Sequence, residues 1–293
     1  NGKEMPYGGI NEKGLVVEML WLDETKYNLF EKTPYLNELE WIQYQLDNYA
    51  SIEEVKSNLG KCKIYPIKGK IHYILADKSG QSVIIEYVAG KALIYAKDPN
   101  ACQAITNKTV KHSEQYIHQI KGIPKRNTSE TYRYHLLEKQ ISEISKTKAL
   151  SAKNAFKMLE KVRIAKGKFK TLWTIVYNIS DLSLSYYTHS NKNVKKLNLE
   201  DLNFDHDLSY SDINQQGNLS LPIQWKSLSQ DVNFNMMSAS FTHLGFDTNF
   251  TKELSIHQYS PSAKNESQFS KNYFHFNITC LLYTSDAADE RSS

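Results

Sequence analysis

Strand-like and helix-like segments follow each other along this chain in the order strands, helices, strands. Regular alternation of strands and helices, which is typical of a parallel sheet, is absent. The order therefore predicts an α+β fold in which helices cover antiparallel sheets. The strand-like segments cover residues 72–77, 82–88, 92–96, 171–180, 183–189 and 194–199, and the helix-like segments cover residues 110–120, 129–144 and 151–164.

Upstream of residue 72 the pattern changes from strand to helix. Residues 14–22 form a short apolar run after a turn, which predicts a buried strand. Residues 36–49 place apolar side chains at helical spacing. Ser51 and Glu54 form a capping box, because each side chain can accept a backbone N–H at the start of a second helix.

Composition excludes several classes of protein. The chain has 293 residues, 40% of them hydrophobic, which is enough to bury a core, and no apolar run of ~18 residues that could span a membrane. The net charge is only +4 and the basic residues are dispersed, so we predict no nucleic-acid partner. Cys62, Cys102 and Cys280 show neither zinc spacing nor an even count, and no cofactor motif occurs, so we predict no metal and no cofactor.

Sequence character divides the chain into three parts. Residues 1–205 carry the strand and helix patterns and form the predicted body. Residues 206–279 are polar and predict a linker and a C-terminal extension, with one short helix over residues 236–246. Residues 280–293 resemble a translated sequencing-adapter tail, and we exclude them from the prediction of fold and function.

Five sequence blocks in the predicted body resemble a known family. In order and in spacing they resemble the linear amide C–N hydrolases, the family of bile-salt (choloylglycine) hydrolases and penicillin V acylases. The blocks are Pro6-Tyr-Gly-Gly-Ile-Asn-Glu-Lys-Gly-Leu15, residues 36–55, His72-Tyr-Ile-Leu-Ala-Asp-Lys-Ser-Gly80 with the strand after it, Ala104-Ile-Thr-Asn107, and Thr171-Leu-Trp-Thr-Ile-Val-Tyr177.

This resemblance implies the fold of the N-terminal-nucleophile hydrolases. Their plan is a four-layer αββα sandwich, in which two antiparallel sheets pack between helical layers. An N-terminal Cys attacks the amide carbon, and its own α-amino group acts as general base, since a free α-amine titrates near ~8. The resemblance thus implies a small-molecule acyl-amide substrate, and because some relatives form homo-oligomers it leaves the oligomeric state open.

Asn107 occupies the position of the family's oxyanion-hole Asn. Its carboxamide N–H would stabilise the negative charge that develops on the amide oxygen. Two other interpretations of the same residue are an Asx-type turn and the glycosylation sequon Asn107-Lys-Thr109.

Arg133 matches a later family Arg that helps to order the surroundings of the nucleophile. It lies in Ser129-Glu-Thr-Tyr-Arg133-Tyr, at the start of a predicted helix, and only four arginines occur in the chain. The alternative is a solvated cation on the helix face near Glu130.

Trp21 lies where bile-salt hydrolases place a second Asn, in the strand after the Asn-Glu-Lys-Gly turn. An indole donates one hydrogen bond and cannot replace an amide. We therefore expect Trp21 to line a substrate pocket that differs from, or is broader than, a strict bile-salt pocket.

The front of the family pattern is missing from this sequence. The N-terminal Cys and the early Arg and Asp are absent, and Asn1 cannot replace a thiol. We therefore expect an N-terminally truncated and inactive amidohydrolase, with Cys62 and Cys102 as inert thiols and His72 as a packing residue. A non-catalytic small-molecule-binding protein and an acyltransferase on the same scaffold stay open as alternatives, and so does the cellular location.

Overall fold

The structure is a computed structural model, and it describes residues 5–28, 35–96, 103–120, 129–147, 151–167, 170–202, 209–214 and 223–243. The described strands are β1 (Gly8–Ile10), β2 (Val16–Trp21), β3 (Tyr35–Leu36), β4 (Lys63–Ile64), β5 (Ile71–Ala76), β6 (Ser82–Val88), β7 (Lys91–Ala96), β8 (Trp173–Asn178), β9 (Ser183–Thr188), β10 (Lys195–Asn198), β11 (Ser209–Tyr210) and β12 (Lys226–Ser227). The described α-helices are α1 (Glu40–Asn48), α2 (Ile52–Asn58), α3 (Val110–Gln119), α4 (Glu130–Thr147), α5 (Ala152–Val162) and α6 (Gln230–His243).

Five strands form the first sheet, in the order β1-β2-β5-β6-β7, and every neighbouring pair is antiparallel. The predicted meander is confirmed as β5, β6 and β7. In the register of this sheet Glu18 of β2 lies opposite Gly8 of β1 on one side and Ile74 of β5 on the other. A carboxylate therefore stands near the middle of the sheet.

The second sheet contains three antiparallel strands in the order β10-β9-β8. The predicted hairpin and its third strand are confirmed. Two further pairs are small: β3 with β4 is parallel, and β11 with β12 is antiparallel. The predicted α+β fold with antiparallel sheets is thus confirmed.

Both faces of each sheet are buried. Ile74 and Ile84 of the first sheet pack with Ile175 and Tyr177 of the second in one core cluster. Leu75, Val83 and Ile85 point the other way and pack with α1 and α2. On the second sheet Val176 packs with α4 and α5. Because side chains alternate across a strand, each sheet has one face on the other sheet and one face on helices.

Local side-chain bonds set the start of the first two helices. α1 begins at Glu40 rather than near Leu36, because Asn37 Oδ1 accepts the backbone N–H of Glu40 and Glu40 Oε2 accepts that of Asn37, both at 2.8 Å. The capping box of α2 forms: Ser51 Oγ accepts the N–H of Glu54 at 3.3 Å, and Glu54 Oε2 accepts that of Ala50 at 2.6 Å.

The C-terminal part of the chain contacts the body where the structure describes it. Ile213, Ile223 and Trp225 pack against the core between the sheets, and Met237 packs on Met5. The predicted helix over residues 236–246 is present as α6 but begins earlier, at Gln230, and residues 244–246 and 280–293 lie outside the described residues. The boundary between body and extension stays a prediction. None of the helices in the described ranges is long and apolar enough to cross a bilayer.

Candidate active site

The structure brings the three site residues predicted from the sequence together. Trp21 is the last residue of β2, Asn107 lies in the loop before α3, and Arg133 lies in the first turn of α4. Arg133 Nη2 donates to Asn107 Oδ1 at 2.9 Å, and Asn107 Nδ2 donates to the Trp21 carbonyl oxygen at 2.9 Å. A continuous hydrogen-bonded path therefore joins residues that are 86 and 26 positions apart in the sequence.

Arg133 is buried at the site. Only 7% of its surface is exposed, and its backbone N–H donates to the Ser129 carbonyl in the first turn of α4. The interpretation of Arg133 as a solvated cation on the helix face is therefore wrong. Helix α4 is also tied to the loop of Asn107, because Thr106 Oγ1 donates to the Glu130 carbonyl oxygen at 3.0 Å.

Asn107 is half-buried and its carboxamide makes tertiary contacts rather than closing a local turn. The guanidinium on Oδ1 draws electron density from the amide, which makes the Nδ2 hydrogens better donors. One of these hydrogens goes to the Trp21 carbonyl, and none of the described residues accepts the second. The arrangement can therefore donate a polarised N–H to an oxygen that carries developing negative charge.

Trp21 ends β2 at the surface of the protein. Its side chain is 46% exposed, and its Nε1 donates to Asp23 Oδ1 at 2.6 Å. The Asp23 carboxylate fixes the direction of the indole, so the ring face stays available for an apolar group of a ligand. Lys108, which follows Asn107 in the sequence, bonds Glu24 Oε1 through its Nζ at 2.9 Å. This bond raises the pKa of Lys108.

Cys62 is a half-buried thiol in the loop after α2. Burial raises its pKa, and its side chain is hydrogen-bonded with Tyr44. A raised pKa lowers the fraction of reactive thiolate. Cys102 and Cys280 lie outside the described residues, and no group of acidic, His or Cys side chains in the described ranges is arranged to hold a metal ion.

Comparison with known proteins connects this geometry with a family. Residues 3–130 match the family model of the linear amide C-N hydrolases, choloylglycine hydrolase family. The matched segment is slightly less than half of the chain. This match includes Trp21 and Asn107, whereas Arg133 lies just beyond it.

One protein to which this chain is similar is a penicillin V acylase from Pectobacterium atrosepticum. It is 37% identical over 99 residues, which is 30% of this chain, and the chain spans 26% of the length of that acylase. A solved penicillin V acylase from Agrobacterium tumefaciens is 25% identical and superposes with a TM-score of 0.57 over 68% of each chain. A variant of the conjugated bile acid hydrolase from Clostridium perfringens, at 16% identity and a TM-score of 0.56, covers 76% of this chain and 77% of its own. This last likeness supports the fold.

Sequence reasoning missed two buried carboxylates in the first sheet. Glu18 Oε1 accepts the Tyr177 hydroxyl at 2.6 Å across the two sheets, and Glu86 Oε1 lies 3.1 Å from His72 Nδ1. None of these three ionisable side chains, Glu18, His72 and Glu86, is exposed. The signal was present: each Glu interrupts an apolar strand, a position where a carboxylate needs a partner.

Proposed function

We propose that the protein hydrolyses non-peptide linear amide C–N bonds, with Asn107 as a catalytic oxyanion-hole donor and Trp21 as a wall of the acyl pocket. The hydrogen-bonded path from Arg133 through Asn107 to Trp21 is the observation that supports this function. The family match over residues 3–130 supplies the reaction class.

Each side chain in this site has a chemical part in the proposed reaction. Nucleophilic attack turns the amide carbonyl into a tetrahedral intermediate with a negatively charged oxygen. Asn107 Nδ2 stabilises that oxygen, and an oxyanion-hole donor of this kind contributes about 2.7–4 kcal/mol to catalysis. Arg133 is the positioning residue, because its guanidinium holds the carboxamide oxygen and turns the N–H toward the substrate.

The nucleophile of the proposed reaction is an N-terminal Cys of the complete protein. Its α-amino group takes the thiol proton, the thiolate attacks the amide carbon, and the ammonium group returns the proton to the leaving amine. Water then hydrolyses the thioester and regenerates the thiol. The half-buried Cys62 has a raised pKa and no free α-amine, so it does not serve this reaction. Residues 1–293 by themselves are therefore proposed to be inactive.

The test compares residues 1–293 with the complete reading frame. Both are assayed with penicillin V, conjugated bile salts and N-acyl amino acids. We expect hydrolysis by the complete protein and none by residues 1–293. Asn107→Ala in the complete protein is expected to lower kcat about 10²–10³-fold. Asn178→Ala is the matched control, because Asn178 bonds Asp181 in a hairpin of the second sheet and takes no part in the site.

Three outcomes would contradict the proposal. A complete gene without a Cys at the mature N-terminus, or a complete protein that binds these amides without cleaving them, would indicate a binding protein. Transfer of the acyl group to added hydroxylamine in preference to water would indicate an acyltransferase.

The substrate side of the proposal rests on Trp21. Trp21→Ala in the complete protein is expected to raise KM for substrates with an aromatic acyl group at least about tenfold, because burying a large apolar side chain is worth about 1.5–3 kcal/mol. The change is expected to be smaller for short aliphatic acyl groups. Equal changes for both substrate classes would place Trp21 outside the acyl pocket.

A further inference from the structure

We infer that Glu86, together with His72, is a positioning residue for Asn107, a role that rests on the proposed function of Asn107. Glu86 Oε1 accepts the backbone N–H of Val110 at 2.9 Å and lies 3.1 Å from His72 Nδ1. Val110 is the first residue of α3 and follows Asn107 by three positions. The carboxylate thus ties the loop that carries Asn107 to the centre of the first sheet.

The place of Glu86 in the sheet makes it a rigid anchor. Tyr73 pairs with Ile85 in the register of β5 and β6, which puts His72 directly across from Glu86 on the neighbouring strand. Both side chains are fully buried on the sheet face that points toward the second sheet. A hydrogen bond from this central position therefore fixes the start of α3 relative to the sheet.

Capping of the helix does not account for the contact. Thr109 already caps α3, since its Oγ1 accepts the backbone N–H of His112 at 3.2 Å. The Val110 N–H is one of the first-turn donors that have no acceptor within the helix itself, and a carboxylate at this end of a helix is favoured by the helix dipole. Glu86 satisfies that donor from a distant strand, so the bond fixes where the helix begins in space.

Stability does not account for the pair either. A buried pair of polar side chains is often no more stabilising than apolar side chains of the same volume, because both groups lose their hydration. A further buried atom of the pair, His72 Nε2, has no hydrogen-bond partner within the described ranges. The His72–Glu86 pair joins β5 and β6 to the first residue of α3, and it is therefore suited to fixing the position of α3 relative to the sheet.

The remaining contacts of the Asn107 loop are more exposed than the Glu86 contact. Lys108 bonds Glu24 through side chains that are 31% and 37% exposed. Thr106 bonds the Glu130 carbonyl at the start of α4. Glu86 therefore supplies the fully buried attachment of this loop to the first sheet, and a shift of about 1 Å in such a donor costs up to about 10²-fold in rate.

The inference is tested by NMR on ¹⁵N-labelled residues 1–293. Glu86→Leu is expected to move the side-chain amide resonances of Asn107 and to speed the hydrogen exchange of the Val110 amide at least about tenfold, whereas Glu86→Gln keeps an oxygen acceptor and restores most of the protection. Glu18→Gln is the matched control. Glu18 is also fully buried on the same sheet face, but it bonds Tyr177 and not α3, so both signals should stay unchanged.

The outcomes that contradict the positioning role differ from the outcome that contradicts the proposed function. Asn107 resonances in Glu86→Leu that coincide with those of the unchanged protein would overturn the positioning role. If Glu86→Leu does not fold, His72→Asn serves instead and is expected to move the same resonances. In the complete enzyme Glu86→Leu is expected to lower kcat and leave KM unchanged, and Glu86→Gln is expected to restore most of kcat. An unchanged kcat with displaced Asn107 resonances overturns the positioning role, while a complete protein that hydrolyses no amide overturns the proposed function and leaves the NMR result valid.

Discussion

Arg133 holds the carbonyl oxygen of the Asn107 side chain through its Nη2 atom, at 2.9 Å. The donor comes from the first turn of α4 and the acceptor from the loop before α3, so this one bond joins α4 to that loop at the candidate active site. Arg133 is only 7% exposed, and a hydrogen bond that involves a charged group contributes more to stability than one between neutral groups.

Arg133→Met keeps most of the apolar stem and removes the donor. We expect the free energy of unfolding to fall by about 1.5–3 kcal/mol, because the Asn107 oxygen loses a charged partner. Urea unfolding followed by circular dichroism measures the change. Arg163→Met is the control: Arg163 follows the last residue of α5 and pairs with Glu160, whose side chain is 49% exposed, so its loss is expected to cost less than about 1 kcal/mol. Equal losses in the two variants would contradict the prediction.

Glu18 gives the protein a pH-dependent stability. Burial raises the pKa of this carboxyl well above its ordinary value, although the Tyr177 hydroxyl partly offsets the shift. The folded state therefore holds a proton that the unfolded state releases near pH 4.3. The contribution of Glu18 is fully present below that pH and is lost as the pH rises toward its folded pKa.

Glu18→Gln removes this titration and keeps an oxygen for Tyr177. We expect the variant and the unchanged protein to have similar unfolding free energies near pH 4, and the variant to become the more stable of the two as the pH rises to 8. Denaturant unfolding at four pH values tests this. A difference that is constant with pH would show that Glu18 titrates normally in the folded protein.

Gly8 leaves the space that the Glu18 carboxylate occupies. A Cβ atom built at Gly8 would overlap the carboxylate oxygens of Glu18, which lies opposite it on β2. We expect Gly8→Ala to destabilise the fold by about 1–3 kcal/mol, the usual cost of overpacking a core. Thermal unfolding is a suitable measurement.

Gly60→Ala is the control for Gly8, because a Cβ there meets no atom within 4 Å. Its effect should stay within about 0.5 kcal/mol. The double variant Gly8→Ala/Glu18→Ala is expected to lose less unfolding free energy than the two single variants added together, since the shorter side chain at position 18 removes the overlap. Additive effects would contradict this explanation.

Cys62 is expected to react slowly with thiol reagents. Burial raises its pKa, so less thiolate is present at pH 7.5 than for a free cysteine. In a Cys102→Ser/Cys280→Ser background, the reaction rate with iodoacetamide should lie below that of a small thiol and should rise on unfolding in urea. A rate above that of a small thiol would identify Cys62 as an activated nucleophile.

Much of the fold could be predicted from local patterns. The meander of β5, β6 and β7, the helices α3 to α5 and the hairpin of β8 and β9 all lie where apolar periodicity and turns place them. These signals are local, because a strand or helix buries the face that its own side-chain period defines. The resemblance of five sequence blocks also selected Trp21, Asn107 and Arg133.

Other elements depend on residues far away in the sequence. β1 has three residues, two of them glycine, and is a strand only because it pairs with β2 across a turn closed by Asn11. β3 and β4 have two residues each and pair in parallel between positions 35 and 64. Elements this short carry no usable period, so the pairing partner decides their structure.

The sequence by itself determined which residue types are available and which local elements they form, because periodicity, capping and turns act within a few positions. Tertiary structure decided which partner each buried carboxylate bonds. Glu18 meets Tyr177 over 159 positions, and Glu86 meets Val110 over 24. A buried carboxylate must find a donor, but packing, not spacing along the chain, decides which donor it finds.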